Sequence, residues 1–390
     1  MKYNFDEIID RTGTSAYKLD LLKARYGSED LLPLWVADMD FRTPDFILDS
    51  IKKRAEHEIL GYTIRTNDFF EPIIDWIENK HRWKVDSDWL GFSPGILPGI
   101  VLAINAFTNS GDKIIIQPPI YPPFMSMITN NGREIVYNQL VMSRNQYQMD
   151  FESLESCIDE STKMLLLCSP HNPGGRVWSK NELCKLAEIC KKNNVLVISD
   201  EIHADLILGQ NKHYLFPTVS DAAFDNSITL IAPSKTFNMA GLVTATYIIP
   251  NKELRFKFQK QILSGEIASG NIFAYAATRA AYQHGADWLN QLLEYLQGNI
   301  DFVSQFLKSN LPKIKTITPQ ASFLIWLDFS ELGLSDKEIR RVLIEECKLA
   351  LNDGPSFGPG GEGYQRINVG CSRIILSEAL ARIKDSFYKY

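Results

Sequence analysis

Between residues 95 and 250, short apolar runs alternate with helix-like stretches, and no other feature of the chain constrains its fold as much. Lys113–Gln117, Lys163–Cys168, Val195–Asp200, Ile228–Ala232 and Thr244–Ile249 are short and rich in β-branched residues and Leu, so they read as strands. A strand with one wet face alternates apolar and polar residues; these do not, which predicts burial on both faces. Pro98–Asn109, Pro122–Asn130 and Lys180–Asn193 read as helices between them, and Asn238–Leu242 as the start of another. Together they predict an α/β fold with a mostly parallel sheet. Residues 253–310 read as long helices interrupted at Gly265 and Gly270. Beyond them, strands at Ile314–Thr318, Phe323–Asp328 and Gln365–Val369 interleave with helices at Ser335–Cys347 and Leu376–Tyr388, a smaller α+β unit. The expected division is 46–285 for a large domain and 1–45 with 286–390 for a small one.

Ligands of such sheets sit beyond the carboxyl ends of the strands. Asn172, Asp200 and Lys235 each fall at or just after such an end. Lys235 stands in Ser234-Lys235-Thr236-Phe237-Asn238-Met239-Ala240-Gly241, directly after a buried run. A desolvated lysine amine is a nucleophile suited to a Schiff base with an aldehyde such as pyridoxal 5′-phosphate. Asp200 ends a buried run, where a carboxylate is costly unless paired. A protonated pyridine nitrogen would pair with it, in a charge-assisted bond worth about 1.5–3 kcal/mol; a helix N-cap or a structural salt bridge is the plainer reading. Asn172, in Ser169-Pro170-His171-Asn172-Pro173-Gly174-Gly175, can donate to a ring oxygen, although Asn-Pro-Gly is also a turn signal. The Asn172–Pro173 bond is a candidate cis peptide.

Around this trio stand further candidates. Ser93-Pro94-Gly95-Ile96-Leu97-Pro98-Gly99 precedes an apolar helix, so the N–H groups of Gly95, Ile96 and Leu97 can cradle a phosphate. Ser234 adds a hydroxyl. Tyr121 can stack on a flat ring or serve as a core aromatic. Arg366, in an otherwise apolar strand, suits a two-pronged grip on an α-carboxylate, with Arg373 as competitor. His203 approaches the ring oxygen or is an interior histidine, and His171 reads as a loop residue.

The net charge of −6 argues against nucleic acid or an anionic membrane as partner, while leaving room for a small anion at a local basic site. The six cysteines are scattered without a CxxC, so they predict reduced core residues and no metal site. The residues from Met1 to Glu7 lack the apolar stretch of a signal peptide, and no run reaches the ~18 apolar residues of a membrane span. The expected compartment is the cytoplasm.

The combination of Asn172-Pro173-Gly174, Asp200-Glu201-Ile202-His203 and Ser234-Lys235-Thr236-Phe237-Asn238 resembles the fold-type I pyridoxal-phosphate enzymes, the aspartate aminotransferase superfamily. Trp35-Val36-Ala37-Asp38-Met39-Asp40-Phe41, Gly61-Tyr62-Thr63 and Pro118-Pro119-Ile120-Tyr121-Pro122-Pro123-Phe124 add a closer likeness to carbon–sulfur lyases of the MalY/PatB type. The resemblance spans nearly the whole chain. It implies a seven-stranded, mostly parallel sheet with a smaller α+β domain, and pyridoxal 5′-phosphate as cofactor. It implies Lys235 as its covalent anchor, Asp200 on the pyridine nitrogen, Asn172 on the ring oxygen and Tyr121 on the ring face. Gly95, Ile96, Leu97 and Ser234 then surround the phosphate, and Arg366 holds the substrate carboxylate. Ala37 belongs to the substrate pocket. A homodimer is implied too, with Tyr62 reaching the other copy's phosphate. Aminotransferases of this fold often carry Ser three residues before the lysine, Arg eight after it and Tyr three after the aspartate; here those positions are Ala232, Val243 and His203. These departures favour a lyase acting on an L-cysteine thioether over an aminotransferase, with a binding protein without turnover as a third reading.

Overall fold

The structure, a computed structural model, describes residues 2–390. Its centre is a seven-stranded sheet: β1 (Leu90–Ser93), β2 (Lys113–Ile116), β3 (Glu134–Tyr137), β4 (Thr162–Cys168), β5 (Leu196–Asp200), β6 (Ser227–Ile231) and β7 (Ala245–Ile248). The hydrogen-bonded order is β1-β7-β6-β5-β4-β2-β3. Only β7 runs against its neighbours β1 and β6. The five expected strands are present, and the sequence reading missed β1 and β3. β3 is a partly exposed edge strand without a long apolar run. β1 holds Gly91, where a Cβ would collide with the Tyr247 ring.

Burial on both faces follows from the alternation along each strand. Met164, Leu166 and Cys168 join one apolar cluster with Ile198 and Leu230, against the helix Ile96–Phe107. Leu165 and Leu167 join another with Val197, against the helix Lys180–Lys192. Each such Leu or Ile withdrawn from water contributes about 1.5–3 kcal/mol. The second helix is started by a capping box in which Ser179 and Glu182 satisfy each other's backbone N–H groups.

A second sheet contains β8 (Lys315–Ile317), β9 (Leu324–Asp328), β10 (Asn352–Asp353) and β11 (Tyr364–Asn368), all antiparallel in the order β8-β9-β11-β10. Arg366 sits in its middle, between Trp326 and Asn352. The N-terminal region joins this sheet's surroundings through a parallel pairing of Leu32–Pro33 with Leu349–Ala350. In the chain, the helices Lys252–Ser264, Ile272–His284 and Ala286–Asn310 connect the two sheets.

Two expected helices differ. The Ser335–Cys347 stretch is an α-helix over Asp336–Arg341 that widens into a π-helix over Val342–Glu346. From Asn238 onward the expected helix is reduced to one 3-10 turn, Ala240–Leu242. A four-residue helix, Pro233–Thr236, ends there, and Asn238 (φ 52°) and Val243 (φ 48°) are both left-handed. Asn238 spends its side chain on the backbone of residues 39–41, a bonding pattern that competes with helix continuation.

Candidate active site

The register of the large sheet builds the site. Cys168 lies opposite Asp200, and Asp200 opposite Leu230, so three parallel strands end level. Each then turns out of the sheet towards the same place. Asn172 lies four residues beyond Cys168, with a cis bond to Pro173 as expected, and Lys235 five residues beyond Leu230. They converge on a cavity of about 240 Å3.

Ala37, Gly95, Ile96, Leu97, Tyr121, Asn172, Asp200, His203, Ser234 and Lys235 all line it. Arg366 does not; it stands behind Asn172, donating from Nη1 to Asn172 Oδ1 (2.9 Å). Tyr62 is fully exposed on the segment 59–66 and away from the cavity of its own chain. Arg373 is engaged elsewhere, with Nε on Asn299 Oδ1 (2.8 Å) and its guanidinium over Phe302. The sequence reading missed Cys168, Ile202 and Thr244, which also line the cavity. Ile202 was signalled by lying between Asp200 and His203; Thr244, past the strained Val243, left no signal.

The charged groups at the sheet end are held under tension by burial. The Asp200 carboxyl is pushed up to about 7 by loss of water, against the pull of the Ile202 N–H on Oδ1 (3.1 Å) and of Lys235. Burial lowers the Lys235 amine to about 8; Asp38 and Asp200 oppose the shift, and Arg366 adds to it. Burial holds His203 at about 3, so its ring is neutral at pH 7, and its buried Nδ1 has no partner. Arg366 is lowered to about 10 by burial. Its Nη2 reaches Trp35 O (3.0 Å) and Asn352 Oδ1 (2.7 Å), while Nε is buried without a partner. Burying a guanidinium with a vacant donor and no carboxylate is unfavourable unless an anion arrives.

A second ring of buried groups holds the lysine's helix. Asp205 accepts from Thr236 Oγ1 (3.0 Å), the neighbour of Lys235, and from Trp76 Nε1 (2.9 Å), and pairs with His81 Nε2 (2.9 Å). Burial pushes the Asp205 carboxyl up, but these partners outweigh it and hold it below its ordinary range. Glu201 is likewise bonded by His213, Ser199 Oγ and Phe216 N.

The other end of the cavity is neutral. Gly95 (φ 137°) opens the helix Ile96–Phe107, leaving the first N–H groups of that helix free of helical partners. Ala232 and Val243 line this cavity in place of a hydroxyl and a guanidinium.

Pyridoxal 5′-phosphate fits these residues. Among the described residues Lys235 is the cation whose pull reaches Asp200, and a pyridinium would supply a direct partner. Asn172 Oδ1 is occupied by Arg366, which leaves its amide N–H groups as the donors for a ring oxygen. A helix start with a hydroxyl beside it suits a phosphate.

Residues 29–383 match the family described as aminotransferase class I and II. Cystathionine beta-lyase PatB of Bacillus subtilis (strain 168) is 44% identical over 382 residues, spanning 98% of this chain and 99% of that protein. The structure of cystalysin from Treponema denticola, which contains pyridoxal 5′-phosphate, superposes with a TM-score of 0.96 at 33% identity, covering 100% of both chains. The PLP-bound C-S lyase of Staphylococcus hominis superposes with a TM-score of 0.92 at 32% identity, covering 99% of this chain and 98% of that one.

Proposed function

The chain belongs to the aminotransferase class I and II family, and from that premise we propose that it is a pyridoxal-phosphate-dependent carbon–sulfur β-lyase. Its reaction is α,β-elimination of L-cystathionine or a related L-cysteine S-conjugate to a thiol, pyruvate and ammonia. The observation that carries this reading is the convergence of Lys235, Asp200 and Asn172 on one cavity, in a chain 44% identical to a cystathionine beta-lyase.

Lys235 would hold the cofactor's aldehyde carbon, Asp200 its ring nitrogen, Asn172 its ring oxygen, and Tyr121 a ring face. The N–H groups from Gly95 to Leu97 and the Ser234 hydroxyl would hold the phosphate. His203, a neutral group in the same wall, would be available to the cofactor's ring oxygen. When bound, the cofactor supplies an electron sink for negative charge at the substrate's α-carbon. Asp200 keeps that sink effective by favouring a protonated ring nitrogen. Arg366, whose Nε is buried without a partner, would give up part of its present bonding to take the substrate carboxylate, and Ala37 would border the rest of the substrate. Lys235, whose amine burial lowers from its ordinary range to about 8, so that a sizeable fraction is neutral near that pH, would take the α-proton at Nζ. The β-thiolate then leaves, and hydrolysis yields pyruvate and ammonia.

We also propose that two copies share their sites. The support is Tyr62, fully exposed beside the exposed Ile59, Leu60 and Ile64. Residues 46–285 would form the cofactor-binding domain, and 1–45 with 286–390 the domain that brings Arg366. No helix among the described residues is long and apolar enough to cross a membrane; cytoplasmic operation is part of the same proposal.

An aminotransferase would use the same residues. Ala232 and Val243 in the cavity wall, where aminotransferases of this fold often carry phosphate-binding Ser and Arg, favour the lyase. The test is incubation of the loaded enzyme with L-cystathionine. Thiol and pyruvate in equal amounts are expected without a keto acid; a requirement for a keto-acid acceptor would overturn the lyase reading.

A further inference from the structure

Six consecutive carbonyls, from Leu34 to Met39, each have a donor, and the Ala37 residue among them lines the cavity. Leu34 O accepts from Asn368 N (2.9 Å), and Trp35 O from Arg366 Nη2 (3.0 Å). Val36 O and Asp38 O both accept from Asn368 Nδ2 (2.6 Å each). Met39 O accepts from Asn238 Nδ2 (2.9 Å), which also reaches Phe41 O (2.7 Å). Asn238 Oδ1 in turn accepts from Met39 N (3.0 Å). The carbonyl between these clamps is that of Ala37, and its donor is Lys235 Nζ at 2.6 Å.

The clamps are rigid by construction. Asn368 Oδ1 is tied to Gly370 N (2.7 Å), so that amide cannot flip without loss. Asn238 adopts φ 52°, a conformation Asn tolerates better than most residues, and its carbonyl is held by Thr43 Oγ1 (3.0 Å). The side chains of the segment are pinned as well. Arg11 bonds Asp38 (2.6 Å) and Asp40 (2.9 Å), and the buried Lys18 bonds Asp40 (2.7 Å).

We infer that Asn238 and Asn368 are positioning residues, which fix the 36–41 segment so that the Ala37 carbonyl holds the Lys235 amine while it is free of the cofactor. A neutral amine that donates one N–H to a fixed carbonyl has its lone pair directed away from that carbonyl. When Nζ takes the substrate's α-proton, the new N–H joins an ammonium whose bond to the same carbonyl strengthens, because the donor is now charged. The proton moves from Cα to Nζ and no other bond of the protein changes. The inference rests on Lys235 as the cofactor-bearing base. It does not depend on which bond of the substrate breaks later.

Two measurements test it. The first is exchange of the α-proton of L-alanine with D2O by the loaded enzyme, which reads proton transfer without a leaving group. Asn238→Ala should slow exchange about 10- to 100-fold while L-alanine affinity, read from the cofactor's visible spectrum, changes less than about 3-fold. The second is the pH midpoint for acylation of Lys235 in the cofactor-free chain. Asp38, Asp200, Arg366 and His203 face this amine in both proteins, so a difference reports the carbonyl. Removing an acceptor that favours the ammonium should lower the midpoint by about half a unit or more. Asn368→Ala, which removes the other clamp without adding a charge, should shift both readouts the same way, and it replaces Asn238→Ala if that chain does not fold. Wild-type exchange and midpoint in a folded variant would overturn the inference, as would slower exchange that only tracks loss of cofactor. Failure of the lyase reading alone would leave both readouts as expected.

Discussion

The two ends of the cavity are built from opposite materials. At the sheet end, Asp200, Lys235 and His203, with Arg366 behind Asn172, are ionisable groups forced away from their ordinary ranges by burial. At the helix end, Gly95, Ile96, Leu97, Ser234 and Val243 offer backbone donors, one hydroxyl and apolar surface. Chemistry needs groups poised to gain or lose protons, and dehydration creates them. An anion that is merely held needs fixed dipoles, which no proton exchange can switch off.

Breaking the sheet end should cost most. Lys235→Ala should lower kcat/KM for L-cystathionine about 10^4-fold or more and change the cofactor's visible absorbance; a variant that turns over normally would remove the lysine from the mechanism. Asp200→Asn should lower turnover about 10^2- to 10^4-fold with a fold that survives, and it carries a pH signature. In the cofactor-free protein the native Asp200 carboxyl sits at about 7, above its ordinary 3.8. The native state then binds more protons than the unfolded state between those values, so this group's contribution to stability falls as pH rises through that window. His203, depressed to about 3, has the opposite slope up to its ordinary 6.5. The readout is therefore the difference in Tm between Asp200→Asn and wild type, which should grow in the variant's favour from pH 4.5 to 7.5. Adding cofactor should erase that growth, since the ring nitrogen gives the carboxylate a partner. A difference that is flat with pH would show that Asp200 is not the strained group.

The helix end should answer more quietly. In Gly95→Ala, the residue keeps φ 137° and its Cβ meets Pro98 Cδ at 3.2 Å. A strain of about 1–2 kcal/mol should weaken cofactor binding roughly 5- to 30-fold, measured by equilibrium titration, with kcat of the loaded enzyme little changed. A fall in kcat as large as that of Asp200→Asn would erase the contrast between the ends.

Much of this was legible in the chain. The runs ending at Cys168, Asp200 and Ala232 announced a sheet buried on both faces, because a strand without a wet face carries no alternation. Asn172, Asp200 and Lys235 stood out as polar residues at the ends of such runs, where only a partner makes them tolerable. Tyr62 was named from resemblance alone, and its own chain leaves it in solvent. The helix expected after Asn238 shrinks to a 3-10 turn because that side chain bonds a segment about 200 residues away in sequence. Propensity is a local property, and such a partner is invisible to it.

The sequence by itself determined the kind of sheet, the residues that cross its carboxyl edge and the cofactor those residues suit. Only the tertiary structure decided that Arg366 rather than Arg373 stands behind Asn172, that Asp205 braces the lysine's helix, and that the Ala37 carbonyl is the one left for Lys235. The physical reason is that hydrogen-bond partners are chosen by proximity in space. Pattern and spacing fix which groups a strand end can offer, while strand register and the packing of distant segments fix which of them meet.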